Sequence, residues 1–261
     1  MRLVEPKVFL FGETRIIEEG LQAFLDHIGA SDWTSDAPTD SEKVIEVMGR
    51  LCYRSWRPGM NPNVTKVRTE NADYMDNILD VKHGSVLEHC FLNFIFADVS
   101  RVFTHELVRH RVGTAISQES LRFVRLDDLG LWAPTVIRED DKAMTIFKET
   151  FSMLEKLQLK LADHFRLDDE GVKFKYKKIV TSAMRRIAPI GLATNIGWSV
   201  NPRTLRHVIE MRTAPGAEEE IRLVFGKVAE IVRARYPNLF GDYTIEVVDG
   251  LPWYKTENTK V

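Results

Sequence analysis

The residues best suited to chemistry lie in one stretch, residues 106–125, which reads ELVRHRVGTAISQESLRFVR. An imidazole stands there among guanidinium groups and small hydroxyl side chains. The set consists of His110, the arginines Arg109, Arg111, Arg122 and Arg125 with Arg101 just upstream, and the hydroxyl residues Thr114, Ser117 and Ser120. Because the planar guanidinium group offers two parallel charge-assisted hydrogen bonds, arginine is well matched to phosphate. The stretch therefore predicts a site for an anion.

A helix is expected to carry the first half of this stretch. Its apolar positions recur at steps of three and four residues, at Val99, Val102, Phe103 and Leu107. Asp98 or Ser100 is the expected N-cap, and the helix is expected to end near Gly113. Its last turn would then carry the Arg-His-Arg triplet at 109–111.

A strand is expected to carry the second half. Residues 120–124 alternate between polar and apolar, which places Ser120 and Arg122 on one face. A helix end and a strand joined by a loop of small residues would present these two side chains to the same cavity as Arg109 and Arg111.

Each of these arginines taken alone is equally typical of a solvated surface, where it would neutralise the C-terminal end of a helix dipole. Likewise, His83, His89 and His110 could each be buried histidines with satisfied hydrogen bonds. The cluster as a whole favours an anion, because five like charges without matching carboxylates repel one another unless a ligand compensates them.

The positive charge of this stretch is not a property of the whole chain. The chain has 261 residues, a net charge of −2, a sequence pI of about 6.4, 44% hydrophobic and 28% charged residues. These values are ordinary for a globular protein and do not describe a polyanion-binding protein. A small anionic ligand is thus favoured over a long nucleic acid, and the lysines interleaved with aromatics at 173–178 are interpreted as a solvated helix face.

No linker or repeat divides the chain, so residues 1–261 are predicted to form a single domain. Two further helices are predicted over residues 16–28 and through Leu51, the second capped by Thr39 with Glu42. Another runs from Asn63 or Thr65 to Val81, one spans residues 143–165, and one ends before Pro189. The last two are capped by Asn201 and opened by Pro215, respectively.

The two cysteines, Cys52 and Cys90, form no disulfide framework and no zinc-ligand spacing, and each is interpreted as a buried structural thiol. We predict no metal site. The chain shows no apolar run of membrane-spanning length and no signal-peptide pattern, so the cytoplasm is the expected compartment and no membrane partner is expected.

Blocks elsewhere in the chain accompany the triplet in a fixed order. They are His83-Gly84-Ser85 with Glu88-His89, then Arg109-His110-Arg111 followed after eight residues by Ser120, then Arg185 four residues before Pro189, and Asn201-x-Arg203 with Arg212. This arrangement resembles the flavin-dependent thymidylate synthase family, whose signature is Arg-His-Arg followed, usually after seven residues, by serine. The resemblance spans roughly residues 52–222.

The resemblance implies an α/β fold of the mixed α+β kind, with a central, mostly antiparallel sheet flanked by long helices. It also implies a homotetramer in which FAD lies at subunit interfaces, so that the active sites are shared. The implied reaction is methylation of dUMP to dTMP, with NADPH as reductant and 5,10-methylenetetrahydrofolate as one-carbon donor. A bound flavin removes the need for the cysteine nucleophile of conventional thymidylate synthesis.

The resemblance also assigns residues. The flavin would be held by His83, Ser85, Arg109, His110, Arg111, Asn201, Arg203 and His207. The nucleotide would meet Glu106, Arg109, Gln118, Glu119, Ser120, Leu121, Arg122, Arg185 and Arg212. Two of these, Arg212 and Ser120, are the predicted catalytic residues: Arg212 would favour ionisation of the uracil N3, and Ser120 would orient the nucleotide by hydrogen bonding.

Some positions depart from the family pattern. Glu106 stands where glutamine is usual, His207 where asparagine is usual, and Glu218 where another glutamine is usual. The additional residue before Ser120 requires a bulge or a wider loop, which leaves open whether Gln118 or Glu119 contacts the nucleotide.

Two alternatives therefore remain. A flavoenzyme of the same fold could act on another pyrimidine nucleotide or give another one-carbon product. A nucleic-acid-binding module would instead use residues 109–125 and 173–178 and show steep salt dependence.

Overall fold

A computed structural model describes residues 1–122 and 128–259 of the chain. The strands are β1 (Arg2–Leu3), β2 (Lys7–Glu13), β3 (Leu92–Ser100), β4 (Thr114–Gln118), β5 (Gly130–Leu131), β6 (Ala193–Val200), β7 (Thr244–Val248) and β8 (Leu251–Lys255). The α-helices are α1 (Glu18–His27), α2 (Asp40–Tyr53), α3 (Asn71–Asp80), α4 (Arg101–Leu107), α5 (Thr135–Arg138), α6 (Asp141–His164), α7 (Phe174–Met184), α8 (Pro202–Thr213), α9 (Glu219–Arg235) and α10 (Pro237–Phe240). Short 3₁₀ helices span Gly84–Glu88 and Arg185–Ile187.

The largest sheet has four strands in the order β2-β3-β6-β4. β1 pairs with β5 in parallel, and β7 pairs with β8 as an antiparallel hairpin whose turn is Asp249-Gly250. Both turn residues have positive φ, 53° and 73°, as a two-residue hairpin of the right twist requires. Long helices together with sheets confirm the predicted α/β class.

The contacts divide the chain into two compact units. The first comprises Met1–Phe9, Ile95–His110 and Ile116–Trp198. Its core includes two groups of buried residues. One is Leu129, Leu131, Phe151 and Leu192, and the other is Ala162, Leu167, Val180 and Met184. In this unit α6 corresponds to the helix predicted over residues 143–165. Its N-cap, Asp140, accepts hydrogen bonds from the backbone of Lys142 and Ala143.

The second unit comprises Leu10–Phe94, Arg111–Ala115 and Ser199–Val261. Within it α8 packs against α9 and both pack against β8. The predicted caps are present: the side chain of Thr39 accepts from the Glu42 backbone at the start of α2, and that of Asn201 accepts from Thr204 at the start of α8. The prediction of a single domain is not tested by this division and stays a prediction.

The central helix is shorter than predicted. Ser100 is its cap, accepting from the Phe103 backbone at 3.1 Å, but the helix ends at Leu107, so the Arg-His-Arg triplet follows it instead of forming its last turn. Within the second unit, the carbonyls of Val112 and Gly113 accept hydrogen bonds from Thr204 and Asn201 at the start of α8. Gly113 also has a φ of 66°, which an α-helix does not contain.

The strand predicted over 120–124 was also misplaced. The strand in this region is β4, directly after Gly113, and Leu121 and Arg122 form a turn. The rest of the predicted strand, residues 123 and 124, lies outside the described residues.

Two helix starts were predicted too early. α3 begins at Asn71, because the carbonyl of Arg68 accepts a hydrogen bond from buried Arg50 and is not available to a helix. α9 begins at Glu219 and not at Pro215, because the carboxylate of Glu218 caps it.

Candidate active site

The first unit gathers part of the predicted nucleotide set around the beginning of α4. The guanidinium of Arg101 donates through Nη2 to the carbonyl of Glu119 at 3.0 Å, just after the end of β4. Its Nε is buried and has no hydrogen-bond partner in the described part of the chain. A buried guanidinium that is only partly satisfied is costly unless another acceptor is supplied.

Arg101 lies near a second guanidinium, that of Arg185, and near the carboxylate of Glu119. Burial lowers the pKa of the Arg101 guanidinium, and the positive charge of Arg185 lowers this pKa further, while Glu119 opposes both effects. Arg185 stands at the end of α7, where the 3₁₀ helix begins. Because burial and a second guanidinium both disfavour the charge of Arg101, an anion bound beside it would be stabilising.

The turn after β4 adds further predicted residues to this neighbourhood. Both the backbone N–H and the Nε of Arg122 lie at the outer limit of hydrogen bonding from Ser120 Oγ, at 3.4 and 3.5 Å. The carbonyl of Arg122 accepts from Thr181 on α7 at 2.7 Å. The structure therefore brings four residues to one region near α7 and the end of β4: Arg101, Ser120, Arg122 and Arg185.

The side chains of Gln118 and Glu119 are both engaged within the unit. The Glu119 carboxylate accepts from the backbone and side chain of Asn195 at 2.9 and 2.8 Å. The Gln118 amide donates to Thr104 on α4 at 3.1 Å. The choice between them as nucleotide contact remains open, but the carbonyl of Glu119 fixes Arg101.

Other predicted residues of this unit lie at the end of α4. Arg109 is exposed, and its Nε donates to the carbonyl of His105 one turn earlier. Glu106 and His110 are half-buried, as is Leu121 in the turn after β4.

The second unit gathers most of the predicted flavin residues at the N-terminal end of α8. Gly113, at φ 66°, approaches so closely that a Cβ there would lie 2.2 Å from Asn201 Nδ2. This contact sets Arg111, which is exposed, beside the first turn of α8. The N-terminus of a helix carries positive partial charge and favours anions.

The 3₁₀ helix that carries His83 and Ser85 packs against α8. Arg203 of α8 forms an ion pair with Glu88 of this 3₁₀ helix. The Nδ1 of His83 is buried without a hydrogen-bond partner among the described residues, and the hydroxyl-bearing Ser85 is exposed. These groups leave donors and an acceptor available to a ligand with ring nitrogens or phosphates.

Two further predicted residues lie farther along α8. His207 is exposed one turn after Arg203, and Arg212 is half-buried in the last turn of the helix.

The predictions for the cysteines differ in outcome. Cys90 is fully buried, and burial raises the pKa of its thiol to about 12, with the carboxylates of Glu42 and Glu13 adding to the shift. Cys52 is exposed, so its assignment as a buried thiol was wrong. The apolar stripe of α2 buries Ile45 and leaves its last turn, with Leu51, Cys52 and Tyr53, in solvent.

Sequence reasoning included Arg101 in the cluster but did not assign it to a ligand. Its buried, half-satisfied guanidinium is visible only once β4 and α7 are in place. Within residues 1–122 and 128–259, no three His, Cys, Asp or Glu side chains come together as a metal site. None of the helices described combines the length and apolar character needed to cross a bilayer.

Known proteins resemble the chain in sequence over most of its length. Residues 35–238 match the family described as thymidylate synthase complementing protein. The flavin-dependent thymidylate synthase of Mycolicibacterium gilvum is 33% identical over 222 residues, which cover 82% of this chain and 84% of the relative. The enzyme of that name from Mycobacterium tuberculosis is 34% identical over 243 residues, covering 89% and 92%.

Solved structures share the fold. Thymidylate synthase X from Helicobacter pylori, solved with FAD and dUMP, superposes with a TM-score of 0.58 at 17% identity, over 91% of this chain and 98% of that one. A UMP/dUMP methylase from Streptomyces cacaoi, solved with 5-Br dUMP, gives a TM-score of 0.61 at 13% identity, over 92% and 96%. These likenesses confirm the predicted fold. With a family match over residues 35–238 and relatives above 30% identity across more than four fifths of its length, the chain belongs to the flavin-dependent thymidylate synthase family.

Proposed function

We propose that this chain methylates dUMP to dTMP, with FAD as bound cofactor, NADPH as reductant and 5,10-methylenetetrahydrofolate as one-carbon donor. Membership of the family supports this reaction, and a protein of the same fold has been solved with FAD and dUMP. The observation on the chain itself that carries the proposal is the guanidinium cluster of the first unit, with the unsatisfied Nε of Arg101.

The nucleotide would bind through the predicted residues, and the role predicted for Arg212 is to favour ionisation of the uracil N3. We assign the phosphate to Arg101, Arg122 and Arg185, since a dianion would relieve the repulsion between Arg101 and Arg185 and could accept parallel hydrogen bonds from each planar guanidinium. Ser120, in hydrogen-bond range of Arg122, would orient the same phosphate. Glu106, Arg109, Gln118, Glu119 and Leu121 complete the predicted set.

The flavin would bind at the N-terminal end of α8. The residues there fit its chemistry: the buried Nδ1 of His83 lacks a partner, Ser85 and Arg111 are exposed, and Asn201 and Arg203 stand in the first turn of the helix. His207 on α8, with Arg109 and His110 of the first unit, makes up the rest of the predicted set. When bound, FAD supplies the hydride that completes the methyl group.

The chain's own groups then provide positioning and charge stabilisation. The guanidinium of Arg212 would stabilise negative charge on the uracil ring through N3, which makes C5 more nucleophilic. A thiol has no part in this route, and Cys90 is unsuited to it, because burial keeps its sulfur protonated at neutral pH.

We further propose that the working unit is a homotetramer in the cytoplasm with shared active sites, and that nucleic acid is not a partner. Size-exclusion chromatography with light scattering tests the assembly.

The test of function begins with the absorption spectrum. Purified protein should be yellow, NADPH should bleach the flavin anaerobically, and reoxidation should yield dTMP only when dUMP and methylenetetrahydrofolate are both present. Flavin reoxidation under those conditions without any dTMP would overturn the proposal. Colourless protein that binds nucleic acid with steep salt dependence would favour the nucleic-acid module.

A second candidate is a pyrimidine nucleotide other than dUMP. The carboxylate Glu106, where the family usually has glutamine, motivates it, and the Streptomyces cacaoi neighbour is a methylase of both UMP and dUMP. Thermal-shift titration with UMP, dUMP and dCMP decides: the highest affinity for dUMP would eliminate this candidate.

A further inference from the structure

One cavity lies wholly within the second unit. It has a volume of about 410 Å³ and is enclosed by the end of α2, Ser55, residues 63–68 and α3. This volume lies in the range that holds a small organic molecule or part of a larger one. Its lining residues are Arg50, Tyr53, Ser55, Asn63, Val64, Thr65, Lys66, Arg68, Tyr74, Asn77, Ile78 and Val81.

The charge of this cavity is one-sided. Arg50, Lys66 and Arg68 line it, and none of its described lining residues is Asp or Glu. Arg50 is neutralised, because Glu46 accepts from its Nε and Nη2 at 2.8 and 2.6 Å. Lys66 and Arg68 form no ion pair with any described residue. The cavity therefore presents two uncompensated positive charges.

The walls of the cavity are well supported. Buried Arg50 donates to the carbonyls of Ser55 and Arg68, both at 2.8 Å, which anchors both ends of the connection that carries Lys66. The guanidinium of Arg50 also lies 4.6 Å from the ring centroid of Tyr74. A satisfied arginine thus orders the wall.

Part of the lining is apolar or aromatic. Val64, Ile78 and Val81 form an aliphatic surface, and Tyr53 is exposed beside it. The ring of Tyr53 packs edge-on against that of His83, with 5.3 Å between centroids. Since His83 is assigned to the flavin in the proposed function, Tyr53 links the lining of the cavity to the flavin region.

We propose that this cavity binds the p-aminobenzoyl-glutamate tail of the folate co-substrate. The tail has an aromatic body and two carboxylates, and the cavity offers an apolar wall with two free cations. Lys66 and Arg68 would each hold a carboxylate by charge-assisted hydrogen bonds. Asn63 and Asn77 line the same space and offer amide donors. This assignment rests on the proposed function, which requires a folate beside the flavin.

The steady-state test separates this inference from the proposed function. In the Lys66→Ala/Arg68→Ala double variant, the KM for methylenetetrahydrofolate should rise by about tenfold or more, with kcat at saturating folate unchanged, on the usual magnitude for two charge-assisted contacts. The alanine at 68 keeps the carbonyl that accepts from Arg50. Arg57→Ala is the matched control, since Arg57 is exposed in the same connection but does not line the cavity.

A direct binding test needs no turnover. p-Aminobenzoyl-L-glutamate should bind the holoenzyme in ligand-observed NMR, p-aminobenzamide, which has no carboxylate, should bind more weakly, and the double variant should lose the preference. The conservative variants Lys66→Arg and Arg68→Lys should retain it.

The outcomes are distinct. An unchanged folate KM in a double variant that remains folded would overturn the inference while leaving dTMP synthesis intact. A raised KM for NADPH alone would overturn it in favour of the phosphate of the dinucleotide. Wild-type protein that makes no dTMP would remove the proposed function, and p-aminobenzoyl-glutamate that fails to bind would remove the inference as well.

Discussion

Replacing Arg101 by methionine should abolish most of the dUMP affinity without destabilising the free protein. The substitution keeps an unbranched side chain in the half-buried space but removes the guanidinium whose Nε lacks a partner. It also removes the repulsion between this group and Arg185, since both burial and Arg185 lower the pKa of Arg101. The unliganded variant should therefore melt no lower than the wild type.

The expected loss follows from the lost phosphate contact. A hydrogen bond to a charged group contributes about 1.5–3 kcal/mol, so the Kd for dUMP should rise about 10- to 150-fold. At a dUMP concentration of about 100 times the wild-type Kd, ligand stabilisation is about 2.7 kcal/mol, and in the variant it should fall to about 0.3–1.4 kcal/mol. For a chain of this size these values correspond to melting shifts of about 5–11 °C in the wild type and about 1–6 °C in the variant.

The assay is differential scanning fluorimetry of the holoenzyme across a dUMP titration, with isothermal titration calorimetry for Kd. The dUMP affinity of Arg101→Lys should lie between those of the wild type and Arg101→Met, because lysine keeps the positive charge but lacks the planar group that donates two parallel hydrogen bonds. Arg138→Met is the control, since Arg138 lies in the same unit and pairs with Glu5. An Arg101→Met protein that binds dUMP as tightly as the wild type would refute the assignment of Arg101 to the phosphate.

Further outcomes test other parts of the structure. Glu46→Ala leaves buried Arg50 without its counter-ion and should cost about 3–5 kcal/mol, seen as a fall in melting temperature of about 6–20 °C; an unchanged melting temperature would contradict the buried pair. Gly113→Ala should lower flavin occupancy, measured by absorbance, because a Cβ would clash with the cap of α8 at a backbone of φ 66°. At pH 8 iodoacetamide should modify Cys52 and spare Cys90 until denaturant is added, and equal labelling of both thiols in the native state would be the opposing result. Burial raises the pKa of the Cys90 thiol to about 12, above its value in the unfolded chain. The contribution of the protonated thiol to the free energy of unfolding is therefore complete below about pH 8.5 and is lost as the pH rises from there towards 12. Denaturant unfolding at several pH values, with Cys90→Ala as control, measures this loss.

Much of this protein could be predicted from local sequence. The caps formed by Thr39, Ser100 and Asn201 involve hydrogen bonds to residues three positions away, so the chain near each helix start determines them. Asp249-Gly250 has the same local character, and the hairpin it forms was available to sequence reasoning but was not predicted. The ordered blocks around the Arg-His-Arg triplet predicted the family, and this prediction is confirmed.

Some of the wrong predictions depended on distant residues. α3 starts late because Arg50 donates a hydrogen bond to the carbonyl of Arg68. The helix that was predicted to begin at Asn63 or Thr65 would use that carbonyl within itself, and no local pattern records its partner eighteen residues earlier.

The chain by itself determined which residue types are present for an anion site, in what order, and where most helices begin, because those properties depend on neighbours within a few residues. Tertiary structure decided that the Nε of Arg101 is buried without a hydrogen-bond partner among the described residues, which cysteine is exposed, and that Lys66 and Arg68 line a cavity without carboxylates. Burial and the sign of the surrounding charge are set by segments far apart in sequence, so they exist only once those segments have packed together.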